Sequence, residues 1–269
     1  AVPPSALAIT PDEAEKLRAG KFKVAFSYHT VSDQCNQTKL AAAREMLAGW
    51  GIDTAAVTDA KFKAEAQMSD IESLMALDPD VLFVMPVDPD TAAAALRDVK
   101  GSKTKIVFME NVASGFKAGV DYVACASSDS YGNGKAAADI MAKELGYKGK
   151  VAMLFYDMAY FVTNERDRGF KETMAKSYPD IEIVAAEVAA VPGTVPDAYN
   201  KAKDLMRTHP DLKAFCAIFD MPLIGAAQAI ADENKVGKVG CYGFDGDPTA
   251  MKMILDPESA YMSTAVQQP

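Results

Sequence analysis

Cysteine, histidine and positive charge are scarce in this chain. Its 269 residues hold four cysteines and two histidines. The cysteines (Cys35, Cys125, Cys216 and Cys241) show no CxxC spacing and are too sparse for a disulfide scaffold. Cys216 and Cys241 each stand four residues before an Asp. On neighbouring strands their sulfurs can sit side by side, yet free buried thiols are the expected state, because parallel neighbours rarely give disulfide geometry. His29 and His209 have no ligand-spaced companions, so neither a zinc site nor any other metal site is expected. Lys and Arg number 28 against 37 Asp and Glu, for a formal net charge of -9. That balance argues against nucleic-acid binding, which rewards clustered basic residues, and against anionic membrane surfaces. No apolar run reaches the length of a membrane span. There is no nucleophile elbow and no P-loop. Gly132-Asn133-Gly134 is not a dinucleotide fingerprint, since it lacks the third glycine and the distant acid. No cofactor is expected.

What the chain has is apolar residues, 49% of the total, enough for the cores of two α/β domains of ordinary size. Ala1-Val2-Pro3-Pro4 reads as a mature N-terminus left by removal of a secretory signal, although a chain cut there for another reason has the same start. Thr10-Pro11-Asp12-Glu13 is a capping box that opens a short helix to Arg18. Strands are expected at 21–28, 53–57, 81–85, 105–109 and 122–126, and helices at 37–49, 64–77 and 90–100. The run Thr30–Asn36 reads as a polar loop. The second half repeats the pattern. Helices are expected at 131–145, 164–178, 197–207 and 223–234, and strands at 150–156, 181–187, 214–219, 239–245 and 261–266. Such alternation implies parallel sheets wrapped in helices, joined by right-handed crossovers. The expected fold class is α/β, with two doubly wound parallel-sheet lobes, a hinge and a ligand cleft between them. The N-terminal lobe is expected to cover 1–127 and the C-terminal lobe 128–267. Residues 268–269 would start a truncated return segment to the first lobe.

The most informative stretch is Val239–Pro248, VGCYGFDGDP. An apolar strand stops there at Asp245-Gly246-Asp247-Pro248. In open α/β sheets ligands bind beyond the carboxyl ends of the strands, where such a carboxylate faces the crevice. An ordinary Asp-Gly turn has the same sequence. Other strands end in polar residues too: Tyr28-His29, Pro86-Val87-Asp88, Glu110-Asn111 and Asp220.

Several separated motifs together resemble the type I periplasmic substrate-binding proteins of the ribose-binding-protein cluster, the sugar receptors of bacterial ABC importers. They are Pro86-Val87-Asp88, Ala126-Ser127-Ser128-Asp129 with Gly132 and Gly134, and Asn164-Glu165-Arg166 with Gly169-Phe170. Thr208-His209-Pro210-Asp211, Gly243-Phe244-Asp245-Gly246 and Val266-Gln267-Gln268-Pro269 follow in order. The resemblance spans roughly 21–269. It implies a ligand held between two closing lobes, fixed by carboxylates, an arginine and amides, and sandwiched by aromatics. It implies that Glu110 and Asn111 stand where the family has a ligand-binding acid and its basic neighbour, so the acid is kept and the arginine is not. It matches Arg166, Asp245 and Gln267 to binding residues and Asp129 to a hinge acid. Asp220, Tyr28, His29, Asn36 and Tyr160 complete the candidate ligand set, with Phe161 a further stacking candidate. Each has a plainer alternative: Arg166 pairing with Glu165 or Asp167, Glu110 in a turn, Tyr28 in the core. Two departures stand out. The first loop is polar where the family often places paired aromatics, and Phe219 precedes Asp220 where the family has asparagine.

The resemblance implies a non-enzymatic, monomeric carrier, located in the periplasm, for a small sugar or polyol. Its partners would be a membrane ABC permease and a chemoreceptor, with no nucleic acid. The alternatives are the ligand-sensing core of a repressor-like regulator, a receptor for a furanosyl signalling molecule, and an α/β enzyme using crevice carboxylates. Residues 1–20 are short and not basic, which argues against a DNA-binding module in that stretch.

Overall fold

The computed structural model describes residues 8–155, 161–190 and 193–266, without the side chains of residues 34 and 266. The chain divides between Ser127 and Ser128 into two compact units.

The first unit opens with α1 (Pro11–Gly20), where the Thr10 hydroxyl and the Glu13 carboxylate cap each other's backbone amides. It continues through β1 (Lys23–Tyr28), α2 (Gln34–Gly49), β2 (Asp53–Asp59), α3 (Ala64–Met75), β3 (Val81–Val84), α4 (Pro89–Ala95), β4 (Lys105–Met109) and β5 (Ala124–Ala126). The sheet is parallel, in the order β2-β1-β3-β4-β5. The three-residue β5 forms one edge.

The second unit runs α5 (Ser130–Glu144), β6 (Gly149–Phe155), α6 (Phe161–Ser177), β7 (Ile181–Val188), α7 (Thr194–Thr208), β8 (Leu212–Ala217), α8 (Asp220–Asp232), β9 (Gly240–Asp245), α9 (Pro248–Ile254) and β10 (Tyr261–Val266). Its parallel sheet is ordered β10-β9-β8-β6-β7. Counted within its own unit, each sheet has the strand order 2-1-3-4-5. In this doubly wound order, ligands sit outside the carboxyl ends of the strands where the winding direction reverses. Those switch points lie between β1 and β3 and between β6 and β8.

Alternation of side chains across the second sheet builds two apolar layers. Ala152, Leu154, Phe215 and Cys241 pack under α7 and α8. Val151, Met153, Cys216, Tyr242 and Phe244 pack under α5 and α6. Burying each large side chain contributes about 1.5–3 kcal/mol, so the strands that carry the polar ends are firmly held. The strands bearing Cys216 and Cys241 are neighbours, but Cys241 pairs with Phe215 and Cys216 with Tyr242. This one-residue offset sends the sulfurs to opposite faces of the sheet, not side by side. Both thiols are free and buried.

Several element boundaries differ from the sequence expectation. The polar run Thr30–Asn36 is not all loop, because Asp33 accepts from Asn36 N at 2.8 Å and starts α2 at Gln34. Asp88, not Asp90 or Thr91, caps α4, accepting from Thr91 N at 2.7 Å. That helix ends at Ala95, and 96–100 are turns. Strand β8 stops at Ala217, so Asp220 begins α8 and does not end a strand. Helix α9 was not expected; Asp247 caps it and Pro248 takes its first position.

Candidate functional site

In the second unit the site is built around Arg166, in the second turn of α6. The residue is 2% exposed. Its Nη1 donates to Ile218 O at 2.7 Å, just past the end of β8. Its Nη2 lies 2.8 Å from Asp245 Oδ1, the last residue of β9. The guanidinium carbon stands 5.4 Å from the centre of the Phe244 ring, close enough for a cation–π contribution. The geometry thus binds Arg166 to the switch point and to the Asp245 end at once, and sets aside the surface pairing with Glu165. Arg168, not Arg166, takes Glu165, at 2.6 Å. Arg166 Nε is buried with no hydrogen-bond partner among the described residues. A buried unmet donor costs about 1–3 kcal/mol, and an incoming oxygen would remove that cost.

Glycine fixes where Arg166 stands. A Cβ on Gly134 of α5 would lie 2.2 Å from Arg166 O, and one on Gly169 would lie 2.2 Å from Tyr131 O. Helices α5 and α6 therefore touch backbone to backbone at the arginine's own carbonyl. This packing is the use the fold makes of Gly134.

Asp245 adopts φ 104 and Gly246 φ 73. The amides of Gly246 and Asp247 turn inward: Gly246 N donates to Thr264 Oγ1 at 3.0 Å and Asp247 N to Asp220 Oδ2 at 2.8 Å. Asp220 is 1% exposed. It also accepts from Tyr261 Oη at 2.6 Å and from Thr264 Oγ1 at 2.9 Å. Burial pushes its pKa up, against the pull of these donors. Asp220 is therefore placed as an internal brace of the Asp245 loop, and both its oxygens are engaged. This corrects its expected position at a strand end. Gly243 has no side chain for the same reason, since a Cβ there would lie 2.5 Å from Asp220 Oδ1. Asp129 is exposed and caps α5, accepting from Gly132 N at 2.8 Å. Phe161 opens α6 and is 54% exposed. Tyr160 and Gln267 lie outside the described residues.

In the first unit the polar ends of β1 and β4 converge. Glu110 follows β4 at φ 60, and its amide donates to Ala126 O at 2.8 Å. Its carboxylate pairs with Lys39 Nζ from α2, both side chains largely buried. Burial opposes the Lys39 charge most strongly of any one cause, but Glu110 and Cys35 together outweigh it and the lysine pKa is raised. Asn111 is buried beside Glu110. His29 is half-buried; its ring centre is 4.9 Å from that of Phe62, and its Nε2 is 3.5 Å from Asn36 Nδ2. Burial pushes the His29 pKa down, and Glu110 and Asp33 pull against it. Asn36 is committed to the loop, donating to Thr30 O at 3.0 Å and Asp33 Oδ2 at 2.7 Å. Tyr28 is 1% exposed and packs with Phe26 and Met85. It is a core residue, not a stacking face, and burial raises its pKa to about 12.

Lys39 and Phe62 escaped the sequence reading. Lys39 carried a usable signal: it lies three residues after Asn36, on the same face of α2. Phe62 carried none. It sits at φ 58 in the loop after β2, a conformation a bulky residue adopts rarely. Among the described residues no group of three His, Cys, Asp or Glu is placed to hold a metal. No described helix is long and apolar enough to cross a membrane.

The sequence pattern of the family described as periplasmic binding protein domain matches residues 24–269. Over 213 residues the chain is 26% identical to the ribose import binding protein RbsB of Salmonella typhimurium, covering 79% of this chain and 68% of that protein. An ABC sugar transporter subunit from Rhodobacter sphaeroides 2.4.1 is 25% identical with a TM-score of 0.83, over 92% of this chain and 86% of that one. An ABC transporter solute binding protein from Agrobacterium vitis, solved with bound allitol, is 21% identical with a TM-score of 0.81, over 92% and 84% of the two chains. That last likeness shows the fold.

Proposed function

This chain belongs to the periplasmic binding protein family, and from that premise we propose that it captures a small neutral sugar or polyol between its two lobes and delivers it to an ABC import permease. The observation that carries the reading is the Arg166–Asp245 pair with its unmet Nε donor. A hydroxyl both donates and accepts. A paired carboxylate and guanidinium offer it both roles with no net charge left over. The Lys39–Glu110 pair offers the same in the other unit. Each hydrogen bond to a charged group is worth about 1.5–3 kcal/mol. A few of them, after the costs of ordering and closure, reach micromolar affinity, about -8 kcal/mol. Ribose, named for one relative, and allitol, bound in one neighbour, bracket the ligand class. Residues Glu110, Asn111, Arg166 and Asp245 are the proposed contacts, and His29 a contact at the rim. The same membership supports a role in the periplasm, as a carrier and not a catalyst.

Isothermal calorimetry against pentoses, hexoses and four- to six-carbon alditols tests the proposal. Saturable binding of a member of that panel supports it. Silence across the panel, or turnover of a bound sugar, would overturn it.

A further inference from the structure

The two part-buried ion pairs occupy equivalent places in the two units. Lys39 stands five residues after Gln34, the first residue of α2, and α2 follows the first strand of its unit. Arg166 stands five residues after Phe161, the first residue of α6, and α6 follows the first strand of the second unit. Glu110 directly follows the fourth strand of the first unit, and Asp245 ends the fourth strand of the second. Both acids have positive φ, 60 and 104. Both sheets have the same strand order, so in each the first strand, which leads into the helix, and the fourth strand lie on either side of the third. In both units a cation one helical turn in reaches an acid held in unusual backbone geometry.

We propose that Lys39 is the first unit's counterpart of Arg166, a ligand-contacting residue that supplies the cation missing where Asn111 follows Glu110. The inference rests on the proposed function. Its chemistry follows from the group. An ammonium has three donors; Glu110 takes one and Cys35 another, which leaves the third for a ligand oxygen. Glu110 retains acceptor capacity for that oxygen's proton. The pair therefore reads a hydroxyl and discriminates against a carboxylate, which only accepts, and an ammonium, which only donates. Lysine is a point charge on a flexible stem, whereas arginine is a rigid fork. The first unit accordingly tolerates more variation in hydroxyl position than the second. Asn36, three residues before Lys39, spends its amide donors on Thr30 and Asp33.

The test is calorimetry of the wild type, Lys39→Met, Lys39→Gln and Lys39→Arg with ribose and allitol, and with ribonate as the carboxylate control. Thermal melts and circular dichroism run alongside. Lys39→Met is expected to weaken binding at least about ten-fold at temperatures where it is fully folded. Lys39→Arg should recover most of that loss, and ribonate should bind more weakly than ribose. Lys39→Gln keeps a donor for Glu110 and serves if the Met variant folds poorly; it should bind more weakly than wild type. Unchanged affinity in folded Met or Gln variants, with only the melting temperature altered, would overturn the Lys39 assignment and leave the sugar-carrier reading standing. A wild type silent toward these probes and toward the rest of the sugar and alditol panel would overturn both.

Discussion

Arg166 Nη2 and Asp245 Oδ1 meet at 2.8 Å across the carboxyl end of the second sheet, but the two residues are unequally buried. The arginine side chain is 3% exposed and the aspartate 32%. Removing one partner therefore does not mirror removing the other. Asp245→Ala strands a guanidinium in the interior, whereas Arg166→Met leaves a carboxylate that water can reach. Breaking a buried pair from the wrong side costs about 3–5 kcal/mol; partial solvation of Asp245 brings Asp245→Ala to the lower end. Urea unfolding should show Asp245→Ala as the less stable variant by at least ~1 kcal/mol, while both lose sugar binding. Equal stability would mean that the arginine reaches solvent.

Gly134→Ala adds one methyl against the Arg166 carbonyl, where a Cβ has only 2.2 Å. Backbone cannot yield as a flexible side chain does, so α5 and α6 must separate. Overpacking of this kind costs about 1–3 kcal/mol. The guanidinium would shift with its helix, so affinity should fall along with stability. Paired denaturation and calorimetry check this; a variant with wild-type values in both would show that the helices are not in register at this contact.

Thr264→Val removes one donor to Asp220 and one acceptor for Gly246 N without touching the proposed ligand contacts. Amide exchange at Gly246 and Asp247 should quicken in the ligand-free protein, and Thr264→Ser should restore protection. Affinity for the sugar should drop several-fold because Asp245 is no longer held. Unaltered exchange rates would remove Asp220 and Thr264 from any part in positioning the loop.

His29 provides a pH dependence whose sign can be worked out. Burial lowers its pKa in the folded state, so the unfolded chain binds its proton more readily. Its stabilising contribution is complete above the unfolded value of about 6.5 and is lost as pH falls below that toward the folded pKa. Glu110, Asp33 and Asp59 pull the other way and Lys39 reinforces the lowering. Melting temperature should fall between pH 7 and pH 5, and His29→Gln should flatten that part of the curve. A slope that survives the substitution would assign it to another group.

Much of this architecture was legible because local signals agreed. Apolar runs capped by acids marked the strands, and Thr10 to Glu13 marked the first helix. Strand β10 falls on Tyr261–Val266, the residues expected from the pattern. Arg166 and Asp245 were found as separate candidates, and the structure joins them. What escaped depended on distant partners. Whether the Asp220 carboxylate faces a crevice or the interior is decided by Tyr261, 41 residues later. The cysteine geometry turned on a single residue of register between β8 and β9, which composition does not encode. Helix α9 was hidden because Asp-Gly-Asp-Pro is as good a turn as it is a helix start. Lys39 is singled out by its reach to Glu110, a partner 71 residues away.

Strand β5 has one further consequence. It spans three residues, Ala124–Ala126, and closes one margin of the first sheet. A margin so brief offers a visiting chain little ladder to zip onto, and two alanines with a cysteine give it little to grip. Aggregation by sheet-to-sheet growth is therefore disfavoured at this margin.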